Sequence, residues 1–326
     1  MENLPLTVAL AHYDRHVALF DGSVTPSCLN LTVLQVGQSN SLRHGKNRHQ
    51  RMLQDGEFDA CEVSLSSYLM ARARGWPFTA VPVFPRRLFS QSQIWVNAHA
   101  GLGAPTDLVG RKVGLSTFQT TCSVLAKGDL QMEYGVPWRK IRWVCKREET
   151  VPFVRDEGVD IQRVPEGRKI GEMLESGELD ALIMPHPPGE IVRGSPAIRR
   201  LFRDPMEEEA RYFRKNGFYP VMHVLVFRDE VLNEHPWVAR SLMDVFEEAR
   251  RSCEHFYAED PNWSVLAWGR HAYEEQRRLL GEDPWKNGFA ANRANLERFI
   301  GYSFEQGLLP RELTPEELFE DSTLDT

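Results

Sequence analysis

The sequence predicts a two-lobed α/β fold with a ligand cleft between the lobes and a helical C-terminal part. Three observations carry that prediction. Apolar runs of strand length alternate with helical patterns from Leu6 to Arg228, as in a largely parallel sheet covered on both faces. A buried strand running through a hydroxyl-rich turn into a helix start occurs twice, at 57–75 and again at 112–134. From His235 onward helical patterns dominate.

In chain order, Leu6 to Leu10 is the first strand, followed by the polar loop His12–His16 and a short helix from Val17. Leu29 to Val36 is a strand, and the polar stretch Gly37–His49 reads as a loop before a helix around Arg51–Leu53. Phe58 to Val63 has the length of a buried strand. It breaks into Ser64, Ser66 and Ser67, any of which caps the helix that continues through Arg72. Phe78 to Val83 is a strand with a turn at Phe84–Arg87, and Gln93 to Val96 is another. Asp107–Gly110 is a glycine-closed turn before the strand Lys112–Leu115; Ser116, Thr117, Gln119, Thr120 and Thr121 then lead into a helix, Cys122–Tyr134. Ile141–Val144 and Ile161–Val164 are strands, Ile170–Ser176 a helix, and Leu179–Met184 a strand ending in Pro185-His186-Pro187-Pro188. After the strand Met222–Arg228 come helices over Trp237–Tyr257, Trp263–Leu280 and Asn292–Gln306, and the tail from Thr314 is expected to fray. Crossings near 97–103 and 217–222 assign residues 1–98 and 220–326 to one lobe and 99–219 to the other.

A net charge of −7 argues against a nucleic-acid partner, which needs a basic face. Five widely spaced cysteines without a CxxC motif favour reduced thiols over a disulfide frame or a zinc knuckle. The N-terminus lacks the charged and apolar regions of a signal peptide, and no apolar run is long enough to span a membrane. A cytoplasmic protein is expected. The long C-terminal helices serve a homo-oligomer interface or complete the first lobe; the sequence leaves both open.

Several segments carry a family resemblance: Tyr13-Asp14-Arg15, the run Glu62-Val63-Ser64-Leu65-Ser66-Ser67-Tyr68-Leu69-Met70-Ala71-Arg72, Pro82-Val83-Phe84-Pro85, Met222-His223-Val224, and Asn287-Gly288 with Ala291-Asn292-Arg293. With these, the chain resembles the 4,5-dihydroxyphthalate decarboxylase family, and Asp107–Gly114 resembles the opening of the second lobe in type II periplasmic-binding-protein folds. The resemblance implies that scaffold turned to non-oxidative decarboxylation of a hydroxylated aromatic acid such as 4,5-dihydroxyphthalate, giving protocatechuate and CO2. The departures are His16 where the family pattern has threonine, a longer and more basic 37–49 loop, and the proline-rich stretch around His186. A solute-binding or sensor protein for a small aromatic carboxylate is the alternative reading of the same scaffold.

Decarboxylation of an aromatic ring needs an acid near the carbon that bears the carboxylate, a partner for the hydroxyls, and a grip on the carboxylate that stays. His223 and His16 are the candidate proton donors, because imidazole titrates near neutrality. Arg15, Arg72, Arg86 and Arg87 are candidate carboxylate clamps, their planar forks matching a carboxylate. Ser66, Ser67, Thr120 and Thr121 sit at the two helix starts, where backbone N–H groups favour anions. Glu62 either pairs with an arginine or orients a catalytic histidine. His186 follows a strand's C-terminal end and is a further substrate-binding candidate. No cofactor motif is present and none is needed, since the hydroxylated ring itself accepts the electrons. The alternation His12, Asp14, His16 suggests a divalent-metal trio only if that segment is extended, whereas Asp14-Arg15 fits a loop; no metal is expected.

Overall fold

The structure, a computed structural model, describes residues 3–37, 45–154, 158–259 and 264–326. Its strands are β1 Leu4–Leu10, β2 Leu29–Gln35, β3 Ala60–Ser64, β4 Phe78–Arg87, β5 Ile94–Asn97, β6 Lys112–Leu115, β7 Arg142–Cys145, β8 Ile161–Arg163, β9 Ala181–Ile183, β10 Ile198–Arg200 and β11 Val221–Arg228. The chain forms two compact units. One holds residues 1–87, 221–297 and 313–326, and the other holds 88–220 and 298–312.

The first unit is built on a sheet of order β2-β1-β3-β11-β4. Strand β1 pairs in parallel with β2 and β3, while β11 returns antiparallel between β3 and β4. The sheet is therefore mixed rather than largely parallel, because the strand that completes it arrives from the C-terminal third of the chain. Helix Val238–Glu259 lays Val238, Leu242, Val245, Phe246 and Ala249, a stripe at helical spacing, against Leu6, Val8, Leu10, Leu225 and Phe227 of the sheet.

Three further expectations for this unit are corrected. Strand β4 runs through the segment read as a turn, Phe84–Arg87; Pro85 is tolerated because β4 ends the strand order and the missing N–H interrupts no ladder there. The tail does not fray. Leu318, Phe319 and Thr323 are buried, Phe319 bridges Ala80 on β4, and the Tyr68 hydroxyl donates to the Leu318 carbonyl, so the tail covers the β4 edge. Of the 37–49 loop, residues 38–44 lie outside the described residues. Its end is helical: Asn47 accepts from Gln50 N while the Gln50 side chain accepts from Asn47 N, a capping box that starts helix Arg48–Asp55.

The second unit holds a sheet of order β10-β5-β9-β6-β7-β8, with β6 parallel to β7 and β9, and β5 antiparallel to β9 and β10. Because β5 pairs here, the chain changes unit at 87/88 rather than at 98/99, and residues 298–312 also group with this unit. Strand β10 and helix Pro205–Asn216 escape the sequence reading. The strand is three residues long, but the helix carried its signals, with Asp204 as N-cap, Pro205 in the first turn and Gly217 at the end.

Candidate active site

Three neighbouring strands of the first unit put one row of functional side chains on a sheet. In register, His223 of β11 stands opposite Ser64 of β3 on one side and Arg86 of β4 on the other. Glu62, two residues before Ser64, shares its face, which makes Glu62 the diagonal neighbour of His223. The ladder between β11 and β4 shifts register on either side of His223. Such bulges re-aim side chains near active sites.

Glu62 is the centre of the cluster and is fully buried in a strand with no exposed residue. Its Oε1 accepts hydrogen bonds from the Tyr13 hydroxyl at 2.9 Å and from His223 Nδ1. Its Oε2 accepts from Ala11 N at 2.9 Å and pairs with Arg48 Nη2 at 3.0 Å. Arg48 is itself fully buried; its Nε donates to the Glu62 main-chain carbonyl at 3.0 Å and its Nη1 to the Val36 carbonyl. His49, the next residue, packs its ring edge-on to His223 with centroids 5.1 Å apart. Helix Arg48–Asp55 thus supplies both residues from its first turn.

Burial pushes the Glu62 carboxyl up, but the Arg48 charge and His223 outweigh it and hold the carboxyl well below its ordinary range. Glu62 is therefore an acceptor only, and the proton between it and His223 sits on Nδ1. Burial moves His223 down to about 4 against the opposing pull of Glu62, with Arg86 and Arg48 adding to the depression. The resting imidazole is neutral, with Nε2 as the acceptor. Burial and Glu62 likewise push the Tyr13 hydroxyl up, so it remains a donor.

The structure brings Glu62, His223 and Arg86 together, with the helix start at Ser64 beside them. Ser66 and Ser67 are buried in the first turn of helix Leu65–Arg72, whose N-cap is Ser64. Four other sequence candidates are held elsewhere. Arg72 Nε donates to the Glu317 carbonyl at 2.8 Å and its Nη1 to Phe78 O and Thr79 Oγ1, which ties the tail down. Arg87 Nη2 donates to Lys286 O and Asn292 Oδ1, both at 2.7 Å. Arg15 lies between the rings of Tyr13 and Trp285, 4.2 and 4.1 Å from their centroids, and donates to the Pro85 carbonyl. His16 is buried edge-on to Phe246 at 5.3 Å, and burial with the Arg15 charge takes it down to about 3.

The His12–Asp14–His16 trio does not converge, because Asp14–His16 is a tight helical turn rather than an extended segment. His12 stacks on Phe20, Asp14 binds Arg15 and the Tyr257 hydroxyl, and His16 faces Phe246. Among the described residues no group of three or more His, Cys, Asp or Glu is placed to hold a metal. A cavity of about 500 Å³ opens beside Arg15, Tyr257, Tyr273 and Trp285, but Glu62 and His223 do not line it. The Glu62–His223 pair thus belongs to the buried cluster and not to the lining of that cavity.

In the second unit the predicted helix start is Thr120, N-cap of helix Thr121–Tyr134. Thr117 Oγ1 accepts from Thr120 N at 3.1 Å, and the two hydroxyls lie 2.7 Å apart. The amides of Phe118 and Gln119 donate to the Glu149 carboxylate at 2.9 and 3.2 Å, so this turn already holds an anionic group. Arg147 donates to Ser116 Oγ. His186 is exposed in the bend after β9.

Sequence reasoning missed Tyr13, Arg48 and His49 as site residues. The Asn47-x-x-Gln50 spacing was the available signal, since it starts a helix that carries Arg48 and His49 toward the Glu62 strand.

No family model matches the chain. Among solved structures, the periplasmic aliphatic sulphonate-binding protein of Escherichia coli superposes with a TM-score of 0.58 at 12% identity, covering 100% of both chains. The alkanesulfonate-binding protein of Xanthomonas axonopodis pv. citri gives 0.59 at 14% identity, covering 99% of this chain and 98% of that one. A desulfurization enzyme gives 0.51 at 15%, covering 99% and 98%. The chain therefore has a periplasmic-binding-protein-like α/β fold. More specifically, it is 33% identical to the 4,5-dihydroxyphthalate decarboxylase of Comamonas testosteroni over 100% of this chain and 99% of that one. It is 30% identical to the enzyme of the same name from Pseudomonas putida, over 66% of this chain and 83% of that one. The chain belongs to the 4,5-dihydroxyphthalate decarboxylase family.

Proposed function

We propose that this protein is a carboxy-lyase that removes one carboxylate from 4,5-dihydroxyphthalate without oxidation, giving protocatechuate and CO2. The observation that carries the proposal is the buried Glu62–His223 pair, within a chain alike from end to end to a decarboxylase of that substrate. Glu62 fixes His223 as the Nδ1–H tautomer and leaves Nε2 to take a proton from the substrate hydroxyl para to the departing carboxylate. Loss of that proton sends electron density across the ring to the carbon that must be protonated. The same Glu62 stabilises the imidazolium that forms. This assigns His223 the base role, where the sequence reading expected an acid. Arg86 and the helix start at Ser64–Ser67 flank His223 and suit the carboxylates of the substrate.

The reaction needs no external electron sink, so no cofactor enters this scheme. Among the described residues no helix is long and apolar enough to cross a membrane. The five cysteines, none of them in a disulfide, suit a reducing, cytoplasmic setting.

The test is to incubate the purified chain with 4,5-dihydroxyphthalate and follow CO2 and protocatechuate. Stoichiometric formation of both is expected. Tight binding without CO2 release would instead make the chain a binding protein.

A further inference from the structure

Decarboxylation at a ring carbon needs two proton sites. The hydroxyl that loses its proton and the carbon that gains one are para to each other, at opposite ends of the ring. A single imidazole held by Glu62 reaches one of them without reorienting. His223 is committed to the hydroxyl by its tautomer and its neutral resting state, which leaves the carbon without a donor. The residue placed to fill that role is His49. Its ring is buried beside that of His223, edge-on, with centroids 5.1 Å apart. Its backbone is anchored by the capping box of Asn47 and Gln50, and its neighbour Arg48 grips Glu62, so one helix start carries both the clamp and the second imidazole.

We propose that His49 is a second catalytic residue, the acid that protonates the ring carbon bearing the departing carboxylate; this rests on the decarboxylase reading above. The steps balance as follows. The substrate O–H bond breaks and its proton goes to His223 Nε2, leaving the electron pair on oxygen. That pair moves into the ring as a carbonyl forms, and the para carbon takes a proton from the His49 imidazolium. The carbon–carbon bond to the carboxylate then breaks, CO2 leaves, and the bonding pair restores the aromatic ring and the phenolate. His223 returns its proton to that oxygen, and His49 is reprotonated from solvent. One proton is consumed per CO2, as the overall reaction requires.

The groups around His223 and its partner Glu62 are Tyr13, Arg48 and Arg86. Glu62 is held as a carboxylate and Tyr13 is pushed away from ionisation, so neither supplies the proton that the ring carbon gains.

The experiment compares the wild-type chain with His49→Gln and His223→Gln, measuring CO2 release and the ultraviolet spectrum of bound 4,5-dihydroxyphthalate. Binding of phthalate, which has no hydroxyl to ionise, controls for folding. We expect His49→Gln to bind phthalate and to lose turnover by about 10²-fold or more, the usual contribution of a general acid. Its bound substrate should still show the ionised-catechol band, because His223 is intact. His223→Gln should lose both the band and turnover. Turnover of His49→Gln within threefold of wild type would overturn the proposal. So would loss of the band in His49→Gln, since His49 would then act only through His223. Loss of phthalate binding in His49→Gln would likewise overturn it, by making the residue structural. A wild-type chain that releases no CO2 would remove the decarboxylase reading, and this proposal with it.

Discussion

Arg48 holds Glu62 at two points, its Nε on the main-chain carbonyl and its Nη2 on the carboxylate, each at 3.0 Å. Both residues are fully buried. A guanidinium that bridges the backbone and side chain of one residue fixes that side chain's rotamer as well as its charge. Removing one partner of a buried pair strands the other, whereas removing both leaves only lost hydrogen bonds. Arg48→Gln is therefore expected to lose about 3–5 kcal/mol of stability, and Arg48→Gln with Glu62→Gln to lose less than the single variant. Urea unfolding of the wild type, both singles and the double measures the coupling.

The same pair sets an acid limit on activity. Glu62 acts as a carboxylate, and Arg48 holds its folded-state pKa below the unfolded value. Its contribution is present above the ordinary carboxylate range and is lost as pH falls through the depressed folded value. Without Arg48 that value rises. The acid limb of kcat/KM in Arg48→Gln should therefore move toward neutral pH relative to wild type. An unmoved limb would mean that Glu62 does not need Arg48 to stay ionised.

The buried Asp129 in the second unit runs the other way. It accepts from Ser90 Oγ at 2.7 Å and from the Tyr212 and Tyr302 hydroxyls, and burial raises it to about 7 despite those bonds. A carboxyl raised on folding costs stability as pH climbs from its ordinary value toward the raised one. Asp129→Asn removes that penalty. The difference in Tm, variant minus wild type, should be more positive at pH 8 than at pH 5 in a thermal melt.

Gly128 lies against the same Tyr302: an added Cβ would come within 2.2 Å of the ring. The ring is buried, so it has nowhere to yield. Gly128→Ala should destabilise by about 1–3 kcal/mol, seen as a lower midpoint in denaturant.

Arg72 separates structure from catalysis. Its guanidinium binds Glu317 O, Phe78 O and Thr79 Oγ1, so Arg72→Ala should lower Tm through the tail. Turnover per folded molecule should stay within twofold of wild type. A selective rise in KM would return Arg72 to the substrate.

The two strand–turn–helix designs and the glutamate inside a buried strand were legible because each is a local pattern of a few residues. The family motifs added His223. What the sequence could not show was which of four arginines stays near the histidine. Arg15, Arg72 and Arg87 are held by carbonyls from residues distant in the chain, at Pro85, Glu317 and Lys286, and only the strand register leaves Arg86 beside His223. Arg48 was hidden for a related reason. It precedes Glu62 by 14 residues, and nothing but the packing of a capped helix on β3 brings them together.

The role of the Glu62–His223 pair is tested most directly by CO2 release from 4,5-dihydroxyphthalate by the wild-type chain and His223→Gln side by side, with phthalate binding measured on both. We expect release by the wild type, a loss of about 10²–10⁴-fold in the variant and phthalate affinity within a few fold. Equal release by the two proteins would contradict the assignment and move the proton transfer away from this pair.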